Sequence, residues 1–336
     1  MQDRAFAWTR ATLQSDQLIF QPLKAEASFR AFYRVECPAG ACGKATSVVL
    51  MVSPPEKEQN AQFERLARVF ADSALPVPEI LHSNPTAGWY LLSDVGRHDL
   101  AAAYGTAHED AALERAIDAL VRLQRVDSPA IPPYTAQRFE DELGIFSEWF
   151  ASTLLDTRLP EAVGGVFRQL VDRTRGQHQC CVHRDYHCRN LLYDPASGGF
   201  GIVDFQDALV GPVSYDLASL LHDCYHEFPE EGVARWVDVY LSRTRLALDD
   251  EAFREDVDHM AVQRQLKAVG IFARLRLRDD RTTHLVHIPP VLEHLRRLTR
   301  RYPGLAPLAD WLDGLDRAEV ADRLAALAGP PSTTTS

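Results

Sequence analysis

Asp185, Asn190 and Asp204 are the residues whose types and spacing point most directly to chemistry. The first two lie five positions apart in Val182-His183-Arg184-Asp185-Tyr186-His187-Cys188-Arg189-Asn190-Leu191-Leu192-Tyr193, and the third follows in Ile202-Val203-Asp204-Phe205. The apolar framing predicts a strand, a loop and a second strand. Phosphoryl transfer leaves a protein little covalent work. It requires a base that orients the acceptor hydroxyl and oxygens that hold magnesium against the nucleotide phosphates. Asp185 can serve as that base, and Asn190 and Asp204 can supply the oxygens. Each alone is an ordinary turn residue, but turn closure does not call for all three together with His183 and His187.

The order of loop Asp, Asn and strand Asp matches the protein-kinase signature. The loop form His-x-Asp-x-His-x-x-Asn, and Phe205-Gln206 after the strand Asp, resemble instead the aminoglycoside phosphotransferase and choline kinase-like superfamily. That resemblance implies an α+β, two-lobed, protein-kinase-like fold that uses ATP and Mg2+. The N-lobe would be a small antiparallel β-sheet with one helix, and the C-lobe larger and mainly helical.

The elements needed to position these residues are legible upstream. Leu18 to Leu23, Ala31 to Cys37, Ser47 to Val52 and Trp89 to Leu92 read as strands, separated by Pro- and Gly-containing turns. Ser53-Pro54-Pro55-Glu56 reads as a helix start, after which Phe63, Leu66, Ala67 and Phe70 recur at helical spacing. Leu91-Leu92-Ser93-Asp94-Val95-Gly96 looks like the hinge whose backbone holds adenine in the superfamily, so Leu92 and Asp94 are assigned to nucleotide binding. Lobe boundaries are drawn at 1–94 and 95–328, with a disordered tail at 329–336. Beyond the hinge, Leu113, Ile117, Leu120 and Val121 form one helical stripe, and Leu217, Leu220, Leu221 and Cys224 another.

Phosphate binding departs from the kinase pattern. The stretch expected to cover the phosphates, Glu26 to Val35, holds no glycine; Ser28, Phe29 and Arg30 are its candidate contacts. Met51 stands on the third strand where kinases place a lysine, and the whole chain has four lysines: Lys24, Lys44, Lys57 and Lys267. Arg30 or Arg34 is expected to supply the missing charge. Gly40-Ala41-Cys42-Gly43-Lys44-Ala45 is not a Walker loop, since Pro38 and Ala45 replace required residues. His222 and His226 are read as a helix face, and no zinc site is assigned.

Arg184 and Arg189 flank Asp185, which suits an anionic acceptor better than a polycation. Several stretches then resemble a narrower group: Ala27-Ser28-Phe29-Arg30, Pro54-Pro55-Glu56-Lys57-Glu58, the His183 to Asn190 loop, Val203 to Ala208, Gly211-Pro212 with Tyr215-Asp216-Leu217, Asp223-Cys224-Tyr225, and Leu266 to Leu275. Together they are similar to the bacterial anomeric N-acetylmuramate and N-acetylglucosamine kinases, across residues 20 to 300. This implies phosphorylation of the C1 hydroxyl of amino sugars in cell-wall recycling. Asp185 would then be the base, His187 a loop organiser touching phosphate, and Asn190 and Asp204 the metal ligands. Arg189, Gln206, Asp207 and Tyr225 would contact the sugar, and Asp216 would brace the catalytic loop. Gln263 and Arg274 stand between substrate contact and packing. The alternatives are an antibiotic-modifying phosphotransferase or another small-molecule kinase, and a non-catalytic kinase-like scaffold.

A length of 336 residues allows two lobes. A net charge of −11 argues against nucleic-acid or anionic-membrane partners. No apolar run reaches a membrane span and no leader is read at the N-terminus, so a cytoplasmic protein, monomeric or weakly dimeric, is expected. The six cysteines read as reduced thiols, with a Cys37–Cys42 bridge not expected.

Overall fold

The computed structural model describes residues 2–23, 29–38, 40–43 and 45–329. Ser28 and the tail from 330 to 336 lie outside the described residues. The chain opens with α1 (Gln2–Leu13), followed by β1 (Ile19–Leu23), β2 (Ala31–Glu36), β3 (Ser47–Val52), α2 (Asn60–Asp72), β4 (Ile80–Asn84), β5 (Trp89–Ser93) and α3 (Glu109–Leu123). Next come α4 (Ala136–Ile145), a π-helical segment over Phe146–Leu154, α5 (Glu161–Gly176), β6 (Gln179–Val182), β7 (Leu191–Asp194), β8 (Gly199–Ile202) and β9 (Leu209–Pro212). The remainder is helical: α6 (Tyr215–Leu221), α7 (Glu230–Arg243), α8 (Asp250–Leu277), α9 (Ile288–Thr299), α10 (Ala306–Asp313) and α11 (Arg317–Leu327).

The architecture is the expected α+β kinase-like class, with a small antiparallel sheet region and a mostly helical C-terminal region. The chain divides into two compact units. One comprises Met1–Pro132 and His183–Ala208, the other Pro133–Val182 and Leu209–Ser336. The catalytic-loop residues thus pack with the sheet.

In the first unit the strand order is β1-β2-β3-β5-β4, antiparallel throughout. Side chains of a strand alternate between faces. Val48, Leu50 and Val52 of β3, with Trp89 and Leu91 of β5, therefore form one core with Ala5 of α1 and with Phe6, Trp8 and Phe20. Met51 and Tyr90 take the opposite face, where the Phe63 ring of α2 meets Tyr90 edge-on at 5.8 Å. Because β3 and β5 are covered on both sides, they read as unbroken apolar runs.

The structure corrects four expectations here. The sheet carries a second helix, α1. Its fifth strand, β4, has three exposed residues among five and so lacks an apolar alternation. The helix after β3 begins at Asn60, with residues 54–58 in turns, because the Ser53 side chain bonds Asn60 and Arg30 instead of capping a helix. Finally, Cys37 and Cys42 are disulfide-bonded across the β2–β3 connection, where Gly40 and Gly43 form an isolated bridge. Cys180, Cys181 and Cys188 are buried and not disulfide-bonded.

In the second unit β6 pairs with β9. Helix α8 crosses the π-helical segment at Gly270, where a Cβ would sit 2.6 Å from the Phe146 backbone nitrogen. Among the described residues, no helix is long and apolar enough to cross a membrane.

Candidate active site

β6 ends at Val182, and the loop from His183 delivers Asp185, Asn190 and then β7. β7 pairs with β8, which leads directly into Val203 and Asp204. Two hydrogen bonds lock the loop onto that second strand. The His183 ring accepts at Nδ1 from the Asp185 backbone N–H, 3.3 Å, and its Nε2 lies 3.0 Å from the Val203 carbonyl. An imidazole that accepts at Nδ1 donates at Nε2, so one buried ring fixes the base relative to the strand that carries Asp204. The Val203 N–H donates to the Asn190 carbonyl at 3.0 Å, tying the two metal candidates together. The Tyr186 hydroxyl donates to the Ala116 carbonyl of α3 at 2.7 Å, anchoring the loop to the helix behind it.

Asn190 and Asp204 meet the requirements of hard-cation ligands. The Asn190 amide nitrogen donates to the Asp185 carbonyl at 3.0 Å, so its Oδ1 is the atom turned to other use. Asp204 is open to solvent and has a left-handed backbone, φ 65°; Arg184 has φ 78°. Among the described residues six non-glycine residues have positive φ, and two of them bracket this loop pair. Such backbone strain concentrates at functional sites. The recess around Asp204 raises its carboxyl above the usual range, with the Asp185 and Asp207 carboxylates adding to the rise. Gln206 and, more weakly, Arg30 pull it down. A crowd of acidic groups beside one arginine is what a divalent cation would neutralise.

The other predicted residues divide. Gln206 donates to Asp204 Oδ1 at 2.6 Å, so it orients a metal candidate. Asp207 is exposed, and its carbonyl accepts from Arg184 at 3.4 Å. His187 and Arg189 lie half-buried in the loop. Tyr225 belongs to the second unit, where its N–H donates to Asp223 and its ring meets His287 edge-on. Leu92 is buried in β5 and pairs with both β3 and β4, so its backbone serves the ladder. Asp94 is bound by Arg34, Ser47 and the Gly96 N–H. Burial opposes its ionisation, but these partners hold it below the usual carboxylate range. Gln263 is buried and donates to Glu142, a packing role, while Arg274 is half-buried on α8. Asp216 is fully buried; after burial itself, its charge is the next cause raising the Cys180 and Cys181 thiols.

Arg34 is therefore committed to the hinge, and Arg30 is the phosphate-side candidate. Arg30 immediately precedes β2, opposite Ser53, because Ala31 pairs with Val52. Its Nε donates to Ser53 Oγ at 3.2 Å, Glu58 lies 3.5 Å away, and its guanidinium sits over the Phe63 ring at 5.5 Å. Glu58 also accepts from the Phe29 N–H at 3.1 Å, while the Phe29 ring is 64% exposed. Met51 pairs across the sheet with Tyr90, whose hydroxyl donates to Glu64 of α2 at 2.9 Å. A tyrosine thus holds the helix acid that a strand lysine holds in kinases. Phe205 completes the connection, stacking on Phe63 and meeting Phe70 edge-on, both at 5.5 Å.

Sequence reasoning missed His183 and Gln206 as positioning residues. Their signal was present in the motif, but their partners depend on the fold.

Residues 19–257 match the family model described as Phosphotransferase enzyme family. An N-acetylmuramate/N-acetylglucosamine kinase of Neisseria meningitidis serogroup B is 38% identical over 299 residues, which covers 84% of this chain and 86% of that protein. One from Pseudomonas aeruginosa is 32% identical over 310 residues, covering 89% of each. The crystal structure of a choline/ethanolamine kinase family protein from Mesorhizobium loti matches with a TM-score of 0.63 at 17% identity, covering 97% of this chain and 99% of that one. That likeness speaks to the fold alone. The chain belongs to the phosphotransferase enzyme family, and it is an enzyme that transfers phosphoryl groups.

Proposed function

We propose that the chain is an ATP-dependent sugar kinase that phosphorylates the anomeric C1 hydroxyl of N-acetylmuramate and N-acetylglucosamine. The observation that carries the reading is the locked set of Asp185, Asn190 and Asp204, in a chain whose curated relatives bear that kinase name. Asp185 orients the acceptor hydroxyl and takes its proton late, as the comparatively acidic anomeric hydroxyl permits. Asn190 Oδ1 and the Asp204 carboxylate are the ligands that would hold Mg2+, which when bound supplies charge neutralisation on the nucleotide phosphates. Gln206 and His183 keep those groups aligned.

Arg30, clamped by Glu58, is the cation on the phosphate side, and Ser28 and Phe29 are assigned to nucleotide binding with it. His187 organises the loop and touches phosphate. Adenine is received by the hinge from Asp94 to Gly96, the functional boundary between a nucleotide lobe (1–94) and a substrate lobe (95–328). Arg189 and Asp207 contact the sugar. The enzyme would act in the cytoplasm, as a monomer or weak dimer, on sugars recovered from the cell wall.

Phosphorus NMR of reactions with ATP, Mg2+ and, separately, N-acetylmuramate, N-acetylglucosamine, kanamycin and choline tests this. A sugar 1-phosphate signal coupled to the anomeric proton, absent with Asp185→Asn, is expected. Product from kanamycin alone would overturn the acceptor assignment.

A further inference from the structure

Arg30 takes its direction from a short chain of buried polar side chains. It is 5% exposed, Asn60 is 8% exposed, and Ser53 is fully buried. The Asn60 amide nitrogen donates to the Ser53 carbonyl at 2.9 Å, which turns the Asn60 Oδ1 towards the Ser53 hydroxyl, and that hydroxyl donates to it. A hydroxyl has one proton. With that proton given to Asn60, Ser53 Oγ can only accept towards Arg30, and it does so from the Nε–H at 3.2 Å. Each proton in the chain has one place to go, so the Nε edge of the guanidinium has one direction. The Phe63 ring, its centroid 5.5 Å from the guanidinium carbon, sets the plane. Glu58 supplies the opposing charge. Its Oε2 lies 3.5 Å from the same Nε, farther than Ser53 Oγ, while its Oε1 accepts from the Phe29 N–H.

Ser53 and Asn60 are not used as their neighbourhood would use them. Both residue types are strong helix caps. Asn60 is the first residue of α2, and Gln59 before it makes no side-chain capping bond, yet the Ser53 and Asn60 side chains bond each other and not the helix end. The Ser53 backbone is held separately, its N–H donating to the Gly88 carbonyl at 2.7 Å. Burying a hydroxyl and a carboxamide is costly unless every bond is made, and an apolar pair of like volume would fill the space without that cost. What the polar pair adds is the orientation of the arginine. Arg30 also reaches the metal side electrostatically, since its charge draws the Asp204 carboxyl down against the rise that burial imposes.

We propose that Ser53 and Asn60 are positioning residues for the nucleotide phosphates: Asn60 orients the Ser53 hydroxyl, the hydroxyl orients Arg30, and Arg30 meets the phosphates. The inference rests on the reading of the chain as ATP-dependent with Arg30 as its phosphate cation, and it holds whichever acceptor is used.

The test is equilibrium binding of MgATP, and of adenosine as a ligand with the same base and ribose but no phosphate. The full chain is compared with Arg30→Met, Ser53→Ala, Asn60→Ala and Arg30→Met/Ser53→Ala. Ser53→Ala should weaken MgATP about tenfold, the effect of losing a hydrogen bond to a charged group, and should leave adenosine within about twofold of the parent. Asn60→Ala should act in the same direction, because a released hydroxyl can turn its proton towards Arg30. Without Arg30, Ser53→Ala should cost no more than about twofold, since its effect is relayed through the guanidinium. An equal loss of MgATP and adenosine in Ser53→Ala, or a Ser53→Ala effect undiminished in the Arg30→Met background, would overturn the positioning role. So would weakened MgATP binding in Arg30→Met with none in Ser53→Ala and Asn60→Ala. An Arg30→Met chain that binds MgATP like the parent would sink the phosphate assignment of Arg30 itself, and the proposal with it.

Discussion

Asp204 carries a charge that its surroundings resist. Its carboxyl is raised by the recess and by two neighbouring carboxylates, so the fold holds its proton more tightly than the unfolded chain does. The sign follows. Stability is lost as pH rises from the ordinary carboxylate value through the raised one, and the loss persists above it. Metal-free Asp204→Asn should therefore melt above the parent at neutral pH, and the gap should close in acid, below the ordinary carboxylate range. A variant that melts lower at neutral pH would defeat this account. Its turnover should be lost, and Mg2+ should raise the melting temperature of the parent but not of the variant. Asp185→Asn tests the base: kcat should fall about 10²–10⁴-fold, the usual worth of general base catalysis, while KM for ATP stays near the parent value. Arg30→Met should do the converse, raising KM for ATP, and Arg30→Lys should recover part of the loss because a cation remains. At this scale Asp185, Asn190 and Asp204 were legible because their spacing is local. Gln206 was read as a sugar contact, and its bond to Asp204 was not legible, since nothing in a sequence shows that its amide turns back onto that residue.

Elements carry the site through close approaches that a residue list cannot show. Gly201 of β8 lies against the hinge, and a Cβ there would be 2.7 Å from Val95 Cγ2 and 2.9 Å from the Val95 carbonyl oxygen. Backbone cannot rotate away as a side chain can, so Gly201→Ala must push β8 from the segment after β5. The expected result is a loss of about 1–3 kcal/mol in stability, as for other overpacked sites, together with a raised KM for ATP. Gly144, an exposed position of α4 with no neighbouring atom within 4 Å of an added Cβ, is the control. Its change to alanine should stabilise by about 0.5–1 kcal/mol, read from paired denaturant titrations. The core strands β3 and β5 were readable because both faces are buried and their residues form apolar runs, and β2 because Phe32, Tyr33 and Val35 are aromatic or β-branched. β4 was not, since Leu81, His82 and Ser83 are exposed and give no alternation. The helix start was misplaced because Ser53-Pro54-Pro55-Glu56 carries the local marks of a cap, while tertiary bonds from Arg30 and Asn60 claim the serine.

Across the whole molecule, positive charge is carried almost entirely by arginine, and the four lysines stand out for that reason. Among the described residues Lys267 is the lysine that the fold buries deeply, 9% exposed on α8, with its Nζ 3.1 Å from Glu142 of α4 and 3.4 Å from the Tyr215 hydroxyl of α6. Tyr134 and Gln263 also bond Glu142, so one buried pair joins three helices of the second unit. Nothing local in the sequence points to the partner of Lys267, which lies more than a hundred residues away. Breaking such a pair leaves a desolvated charge behind, whereas replacing both members by apolar residues of similar volume can be neutral. Lys267→Met should thus cost about 3–5 kcal/mol, and Glu142→Leu/Lys267→Met should recover most of that loss. The single variant must keep the parent KM for ATP in its folded fraction, since the pair belongs to the second unit and Arg30, Asn190 and Asp204 to the first. A double variant no more stable than either single one would mean that the pair is held by its surrounding hydroxyls and amides, and not by mutual neutralisation.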